Sequence, residues 1–64
     1  MVDLEKYVSL TLGVDVSIEE IKEETGRTEA RVLLPDSPVT KDINHERVTI
    51  FVNYEYVITE VHLD

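Results

Sequence analysis

The sequence predicts an α+β fold in which a single α-helix packs on a small mixed β-sheet and a long exposed binding loop joins two of the strands. One segment carries the capping pattern that begins a helix, and three later segments are rich in the β-branched and aliphatic residues typical of strands. Residues 35–46 separate the first strand from the second and show neither pattern. A helix too short to persist alone needs a sheet to pack on, so one helix on one small sheet is the simplest arrangement.

The length and composition of the chain allow one hydrophobic core. We expect a single domain over residues 1–64, with residues 1–15 forming an N-terminal arm. The chain has no cysteine, so neither a disulfide nor a thiolate metal site can add stability. Valine, isoleucine and leucine must supply the core, and the hydrophobic content is 42%. We expect no cofactor and no metal, because two separated histidines, His45 and His62, lack a third ligand pattern.

The acidic charge of the chain limits its partners. The formal net charge is −8, with eight acidic and four basic residues in 1–35, and six acidic and two basic residues in 36–64. This charge repels nucleic acids and anionic membranes, so we expect neither as a partner, whereas it favours solubility and attraction to a basic protein surface. No stretch approaches the roughly 18 apolar residues of a membrane span, and the first residues lack the features of a signal peptide. We expect a monomer.

The helix prediction depends on two capping signals. Ser17 and Glu20 form a capping box, in which each side chain can bond to the backbone N–H of the other residue. Gly26 favours the left-handed conformation that ends a helix, about two to three turns later. Before this helix, residues 7–12 alternate between polar and apolar side chains, which predicts a short strand or an extended arm.

The remaining segments of regular structure are strands. They cover residues 30–34, 48–52 and 57–61. The last two are close enough in sequence to form a hairpin. We interpret Tyr7, Tyr54 and Tyr56 as residues of the hairpin and the core. For Tyr54 and Tyr56 the alternative is a sheet edge that pairs with another chain.

The connection at residues 35–46 does not fit a scaffold role, because so long a loop in so small a domain is usually functional or disordered. Two prolines and three β-branched residues favour extended backbone and argue against disorder. They are Pro35, Pro38, Val39, Thr40 and Ile43. A stiff, exposed segment loses little entropy when a partner binds it, and a protease cleft binds its substrates as extended strands.

From the loop onward, the chain carries a recognisable order of residues. They are Pro35, the pair Val39 and Thr40, the pair Lys41 and Asp42, Arg47, the apolar strand 48–52, Asn53 and the last strand 57–61. This order and spacing resemble the potato inhibitor I family of serine protease inhibitors, especially its short microbial relatives. In that family the second residue of the scissile bond is acidic and an arginine opens the next strand. The resemblance covers about residues 17–62 and includes the helix start at Ser17.

The resemblance implies an inhibitor that binds a serine protease as a substrate does. Lys41 would enter the primary specificity pocket, and the bond between Lys41 and Asp42 would face the catalytic serine. The protease would also contact Pro38, Val39, Thr40, Ile43 and Asn44. Asp42 would pair with Arg47, holding the loop rigid so that the cleaved ends stay in place and the bond can reform. Lysine favours a trypsin-like target, a subtilisin-like protease is the alternative, and the family is consistent with a secreted or vacuolar location.

The sequence also departs from the family pattern. Asn44 and Thr49 stand where the family usually has further arginines, so Thr40 would lack a charged partner. The expected consequence is weaker inhibition or slow cleavage after Lys41. The alternative function is a small acidic protein–protein interaction module, or an engineered scaffold on the same fold, without inhibitory activity. We do not expect an enzyme, because no serine has a nucleophile-elbow context and no other residues nominate a chemistry.

Overall fold

The computed structural model describes residues 3–38 and 43–63. Four residues of the predicted reactive loop, Val39, Thr40, Lys41 and Asp42, lie outside the described residues. The described part contains a short 3₁₀ helix, one α-helix and three strands. Their bounds are Leu4–Tyr7 for the 3₁₀ helix, Ile18–Thr25 for α1, Glu29–Leu33 for β1, Arg47–Val52 for β2 and Ile58–Leu63 for β3. No helix in these ranges is long and apolar enough to cross a membrane.

Helix α1 begins and ends as the sequence predicts. The Ser17 Oγ accepts a hydrogen bond of 3.2 Å from the Glu20 backbone N–H, which satisfies one of the donors left open by the first turn. Gly26 follows the last turn with a φ of 73°, and its N–H bonds back to the preceding turn. Ile21 is fully buried, so packing of one face holds a helix that is too short to be stable alone.

The sheet is mixed, as predicted, and its strand order is β1-β2-β3. Strands β1 and β2 are parallel, with Glu29 opposite Arg47 and Leu33 opposite Phe51. Strands β2 and β3 form the predicted antiparallel hairpin, with an irregularity between Phe51 and Val52. A parallel pair needs a connection that runs back along the strands, so residues 34–46 must return from the end of β1 to the start of β2.

The core lies on the side of the sheet that carries α1, which we call the inner face. Alternate residues of β2 point into it: Val48, Ile50 and Val52 are 0%, 0% and 2% exposed. They form one cluster with Ile21 of α1 and with Tyr7 of the 3₁₀ helix. Burying such a side chain stabilises the fold by about 1.5–3 kcal/mol, and in a chain without disulfides this packing is the main source of stability.

The N-terminal segment matches the predicted short strand or extended arm only in the second half of residues 7–12. The Asp3 side chain accepts a hydrogen bond of 3.1 Å from the backbone N–H two residues later and caps the 3₁₀ helix. Tyr7, in the last turn of this helix, is only 2% exposed, so the prediction is wrong for this residue. Ser9 follows with a φ of 77°. Residues 10–12 then pair with residues 56–58 through two backbone hydrogen bonds of 2.8 Å, as an extended arm would.

The two tyrosines of the turn between β2 and β3 are exposed. Tyr54 is 69% and Tyr56 is 50% exposed, so their prediction as core residues was wrong, although both lie in the turn of the predicted hairpin. The burial of Tyr7 in the core is confirmed. Both lie between the strands, so they do not form a sheet edge either. Asn53 explains their position: its Oδ1 accepts hydrogen bonds of 2.9 and 3.0 Å from two backbone N–H groups of the turn. These two bonds hold the turn without burial of either tyrosine ring.

An ion pair joins the 3₁₀ helix to α1. The Lys6 Nζ contacts the Glu24 carboxylate and lies 5.2 Å from the centroid of the Tyr7 ring. The hydrogen bond between them raises the pKa of Lys6 and lowers the pKa of Glu24. Burial raises the pKa of Tyr7, and the neighbouring Glu24 carboxylate raises it further. The pair therefore connects the N-terminal segment to α1 beside the buried Tyr7.

Candidate functional site

The connection leaves β1 through a hydrogen-bonded turn. The Ser37 N–H donates to the Leu34 carbonyl oxygen at 3.0 Å, and the Leu34 N–H donates to the Ser37 Oγ at 3.1 Å. Pro35 lies within this turn, and its ring restricts the backbone further. Pro38 follows and is exposed. The reciprocal bonds hold the start of the connection in one conformation.

The connection reaches β2 through a second turn, which Asn44 organises. The Asn44 Nδ2 donates to the Glu29 Oε2 at 2.7 Å, and its Oδ1 accepts from the Glu46 N–H at 2.9 Å. The Asn44 carbonyl oxygen accepts from the Arg47 N–H at 3.1 Å. The Glu46 carbonyl oxygen accepts from the N–H groups of Thr28 and Glu29 at 3.0 and 2.9 Å. The end of the connection is therefore tied to the beginning of β1.

The side of the sheet opposite α1, which we call the outer face, carries charged as well as apolar residues. By register they are Glu29, Arg31 and Leu33 of β1, Arg47, Thr49 and Phe51 of β2, and Glu60 and His62 of β3. Arg47 is only 8% exposed and Thr49 only 7%, although α1 lies on the other side. A buried guanidinium requires polar or anionic groups around it. Arg47 is thus held within the fold, at the first position of β2.

The start of the connection packs on this outer face. Pro35 and Ser37 line a cavity of about 200 Å³ together with Leu33 and Phe51. The Phe51 ring also makes an edge-to-face contact with the ring of His62, with the two centroids 5.5 Å apart. Pro35 and Ser37, at the start of the connection, therefore lie beside Leu33 and Phe51 of the outer face.

The described residues of the predicted site differ in their exposure. Pro38 and Ile43, predicted to contact the protease, are exposed, and Ile43 reaches 75%. Asn44, also predicted as a contact residue, is half-buried and bonded to β1. Arg47, predicted to support the loop, is buried in β2. Exposed side chains and side chains held within the fold therefore both occur beside the segment that carries the predicted bond.

Two residues of the outer face have no role in the sequence prediction. Pairing of the parallel strands places Glu29 beside Arg47, and it places the half-buried Arg31 beside Thr49. The sequence offers one signal, because polar residues at positions 29 and 31 alternate with apolar residues at 30 and 32. It does not reveal which strand lies beside them, since the register of a parallel pair depends on contacts distant in sequence.

The histidines do not belong to a metal site in the part of the chain that the structure describes. No group of three or more His, Cys, Asp or Glu side chains in that part could hold a metal ion. The Nε2 of His62 lies 2.8 Å from the Glu60 Oε1, so these two side chains pair with one another on the outer face.

Together, these elements define the class of the protein: an α+β scaffold in which a long connection, fixed by hydrogen bonds at its described ends, joins two parallel strands. The sequence model of the potato inhibitor I family matches residues 12–61, which is 50 of the 64 residues. The chain belongs to the potato inhibitor I family. A search of curated proteins and a search of solved structures each gave no match.

Membership of this family sets the general activity. Its members are protease inhibitors, which are not enzymes, so the family implies protease inhibition and binding to serine proteases in general. The family expected from the residue order is thus confirmed. The match begins at residue 12, earlier than the expected start at residue 17, and so includes Leu12, which forms a bridge with Val16 before α1.

Proposed function

We propose that this chain inhibits a serine protease by inserting residues 35–46 into the active-site cleft as a substrate does. In this proposal the Lys41 side chain fills the primary specificity pocket, and the bond between Lys41 and Asp42 faces the catalytic serine. Val39 and Thr40 lie along the cleft before the bond. Family membership supports the general activity, and the order of residues in the loop supports this position for the bond.

The observation that carries the proposal is that both described ends of the connection are anchored while its flanking side chains face solvent. Ser37 fixes the start through two hydrogen bonds with the end of β1. Asn44 fixes the end through its bond to Glu29. Pro38 and Ile43, next to these anchors, are exposed and free to contact a partner.

In this proposal, anchoring of both ends of the loop explains why the protease is inhibited and the loop is not simply digested. When the catalytic serine oxygen attacks the Lys41 carbonyl carbon, the bond to the Asp42 nitrogen breaks and an acyl-enzyme forms. If the scaffold holds both sides of the bond, the new amine stays beside the ester at a high effective concentration. The amine then attacks the ester, restores the peptide bond and releases the serine. Because the ends do not leave, water seldom completes the hydrolysis.

Two arginines of the outer face are suited to hold the loop from beneath. Arg47 is buried in β2, and we assign it an ion pair with Asp42. The hydrogen bonds of such a pair are charge-assisted and therefore stronger than those between neutral groups. Arg31 lies beside Thr49 in the neighbouring strand and brings a second guanidinium to the same face. We assign Arg31 the support of Thr40. In this proposal an arginine of β1 takes the place of the one that β2 lacks at position 49.

The test is a titration against trypsin and against subtilisin, because lysine favours a trypsin-like pocket while a subtilisin-like cleft binds along the whole loop. Residual activity and the integrity of the bond between Lys41 and Asp42 are followed in the same samples, the latter by mass spectrometry. We expect stoichiometric inhibition with most of the bond intact. Rapid cleavage after Lys41 without inhibition would mean that the loop is too loosely held, and it would reject the proposed inhibitory function.

A matched pair of variants tests the position of the bond. Lys41→Ala should weaken trypsin inhibition by at least about tenfold, since it removes the side chain that fills the specificity pocket. Lys22→Ala removes a lysine from α1 and should leave inhibition unchanged. Equal losses in the two variants would contradict the assignment of the bond. An interaction module without inhibitory activity predicts neither inhibition nor cleavage in any of these samples.

A further inference from the structure

A second surface of the molecule, separate from the loop, has the properties of a docking site. A groove of about 410 Å³ lies between the start of α1, the N-terminal segment and the turn between β2 and β3. Its apolar walls are Leu12, Ile18, Val32 and Tyr56. Val32 stands beside Ile50 in the sheet and so belongs to the inner face. The groove therefore opens on the side that carries α1, away from the outer face on which the connection packs.

Two walls of this groove are exposed apolar side chains. Ile18 and Tyr56, which line it, are 37% and 50% exposed. Val14, one residue beyond the lining Gly13 in sequence, is 80% exposed. A groove with exposed apolar walls on a small chain is more typical of an interaction site than single scattered apolar residues are.

The backbone of Tyr56 gives an independent reason to assign its side chain a role. Its φ of 63° lies in the left-handed region, which suits glycine or asparagine and is uncommon for a bulky residue. The conformation is held by two hydrogen bonds, from the Tyr56 N–H to the Asn53 carbonyl oxygen at 2.9 Å and from the Leu12 N–H to the Tyr56 carbonyl oxygen at 2.8 Å. A residue that holds this conformation and lines an exposed groove is a candidate for contacts with a partner.

The charge around the groove selects the kind of partner. Glu19 lines it with a side chain that is 81% exposed, although its carboxylate is 3.6 Å from the Lys22 Nζ. Glu55 stands between the two turn tyrosines in sequence, and no lysine or arginine lines the groove. Two copies of a chain with a formal net charge of −8 repel one another, whereas a basic segment is attracted. Charge therefore favours a cationic partner over a second copy of this chain.

We propose that this groove binds a basic segment of a partner protein, with an apolar side chain seated between Ile18, Val32 and Tyr56 and with flanking lysines or arginines beside Glu19 and Glu55. This surface is independent of protease inhibition, because it lies on the opposite side of the sheet from Leu33 and Phe51, beside which the connection starts. Binding at the groove leaves the loop accessible, so one molecule can engage both partners.

The test is a titration of the ¹⁵N-labelled protein with the peptide acetyl-Lys-Leu-Lys-amide, followed by two-dimensional NMR. We expect shift changes concentrated at the amides of Gly13, Ile18, Val32 and Tyr56, with an affinity that falls as salt is added. Acetyl-Lys-Gly-Lys-amide supplies the charge without the apolar side chain, and acetyl-Glu-Leu-Glu-amide reverses the charge. Both control peptides should bind at least about tenfold more weakly. Equal binding by the glycine peptide, or changes spread over the whole acidic surface, would overturn the proposal.

Variants separate the groove from general charge attraction. Tyr56→Gly removes the ring and suits the positive φ, so we expect a folded protein with at least about tenfold weaker peptide binding. Tyr54→Ala removes an exposed tyrosine that does not line the groove and should bind the peptide as the parent does. Ile18→Ser is a second lesion of the groove at an exposed position. Unchanged binding in Tyr56→Gly and Ile18→Ser, or a dimer that these variants abolish in sedimentation, would overturn the basic-partner proposal.

Trypsin titration of the same variants distinguishes the two functions. Tyr56→Gly should inhibit trypsin as strongly as the parent if the groove is independent of the loop. If the parent does not inhibit trypsin at all, the peptide titration still decides the groove by itself, because its readout does not involve a protease. A loss of inhibition in a folded Tyr56→Gly variant would overturn the independence of the two surfaces.

Discussion

The Asn44 Nδ2 donates a hydrogen bond of 2.7 Å to the Glu29 Oε2 and so joins the end of the connection to the first residue of β1. Asn44 stands where the family usually has an arginine, and the resemblance alone makes it a protease contact. In this chain it is half-buried, and its Oδ1 also accepts the Glu46 N–H. A neutral amide bound to a carboxylate therefore performs an anchoring role at this position.

Replacing Asn44 should weaken the attachment of the loop to β1, and it removes a half-buried side chain rather than an exposed one. Asn44→Ala loses two side-chain hydrogen bonds, so we expect the free energy of unfolding to fall by about 1–2 kcal/mol and trypsin to cleave the loop faster. Urea unfolding and mass spectrometry of the digested protein measure the two effects. Glu23→Ala is the control, because it removes an exposed side chain of α1, outside the loop, and should change stability by less than about 0.5 kcal/mol. Equal cleavage rates in the two variants would contradict the anchoring role.

The proposed ion pair between Arg47 and Asp42 can be measured by a double-mutant cycle. Arg47→Met keeps the length of the buried side chain and removes its charge, while Asp42→Ala removes the other partner. We expect each single variant to be cleaved faster in the loop than the parent. The double variant should be cleaved no faster than the more rapidly cleaved of the two single variants. The coupling free energy between the two residues, obtained from the cleavage rates of the four proteins in the cycle, should be about 1.5–3 kcal/mol, as for hydrogen bonds to charged groups.

A conservative variant and a control complete this cycle. Arg47→Lys keeps the charge without the planar fork and should restore only part of the resistance to cleavage. Arg27→Met alters a half-buried arginine just after α1 and should leave cleavage unchanged. Strictly additive effects of Arg47→Met and Asp42→Ala would mean that the two residues do not interact.

The parts of the fold that the sequence predicts are those fixed by local chemistry. The helix ends follow from Ser17 and Gly26, because a capping hydroxyl and a left-handed glycine act within one turn of chain. The three strands follow from their β-branched and aliphatic residues, and the bounds differ from the prediction by only one or two residues. The order of these elements also predicts the long connection, which the parallel pair of strands requires.

The parts that the sequence does not predict depend on contacts between distant residues. Tyr7 belongs to a 3₁₀ helix because the core accepts its ring, which alternation in residues 7–12 does not reveal. Arg31 joins the outer face beside Thr49 only through the register of the parallel strands. The groove beside Tyr56 arises from three segments that are far apart in sequence. Each of these features requires the tertiary structure.

The core should respond strongly to loss of one side chain of α1. Ile21 is fully buried, so Ile21→Ala should lower the free energy of unfolding by about 2–5 kcal/mol through lost burial and the cavity that remains. Ile18→Ala changes the same residue type three positions earlier, where the side chain is 37% exposed, and should cost less than about 1 kcal/mol. Urea midpoints with an unchanged slope would measure the difference. Similar losses in both variants would contradict the assignment of the buried face.

The ion pair between Lys6 and Glu24 predicts how stability depends on pH. The pKa of Glu24 is lower in the folded chain than its usual 4.5, so its contribution is present above that pH and is lost as the pH falls through the folded pKa. The stability difference between the parent and Glu24→Gln should therefore be visible at pH 7 and should shrink as the medium becomes more acidic. It should also decrease in concentrated salt, because both side chains are nearly half exposed. Glu23→Gln is the control, because it removes a neighbouring exposed carboxylate from the same helix and so makes the same change in net charge. The free energies of unfolding are measured by urea titration at several pH values. If Glu24→Gln and Glu23→Gln give the same dependence on pH, the pair does not stabilise the fold.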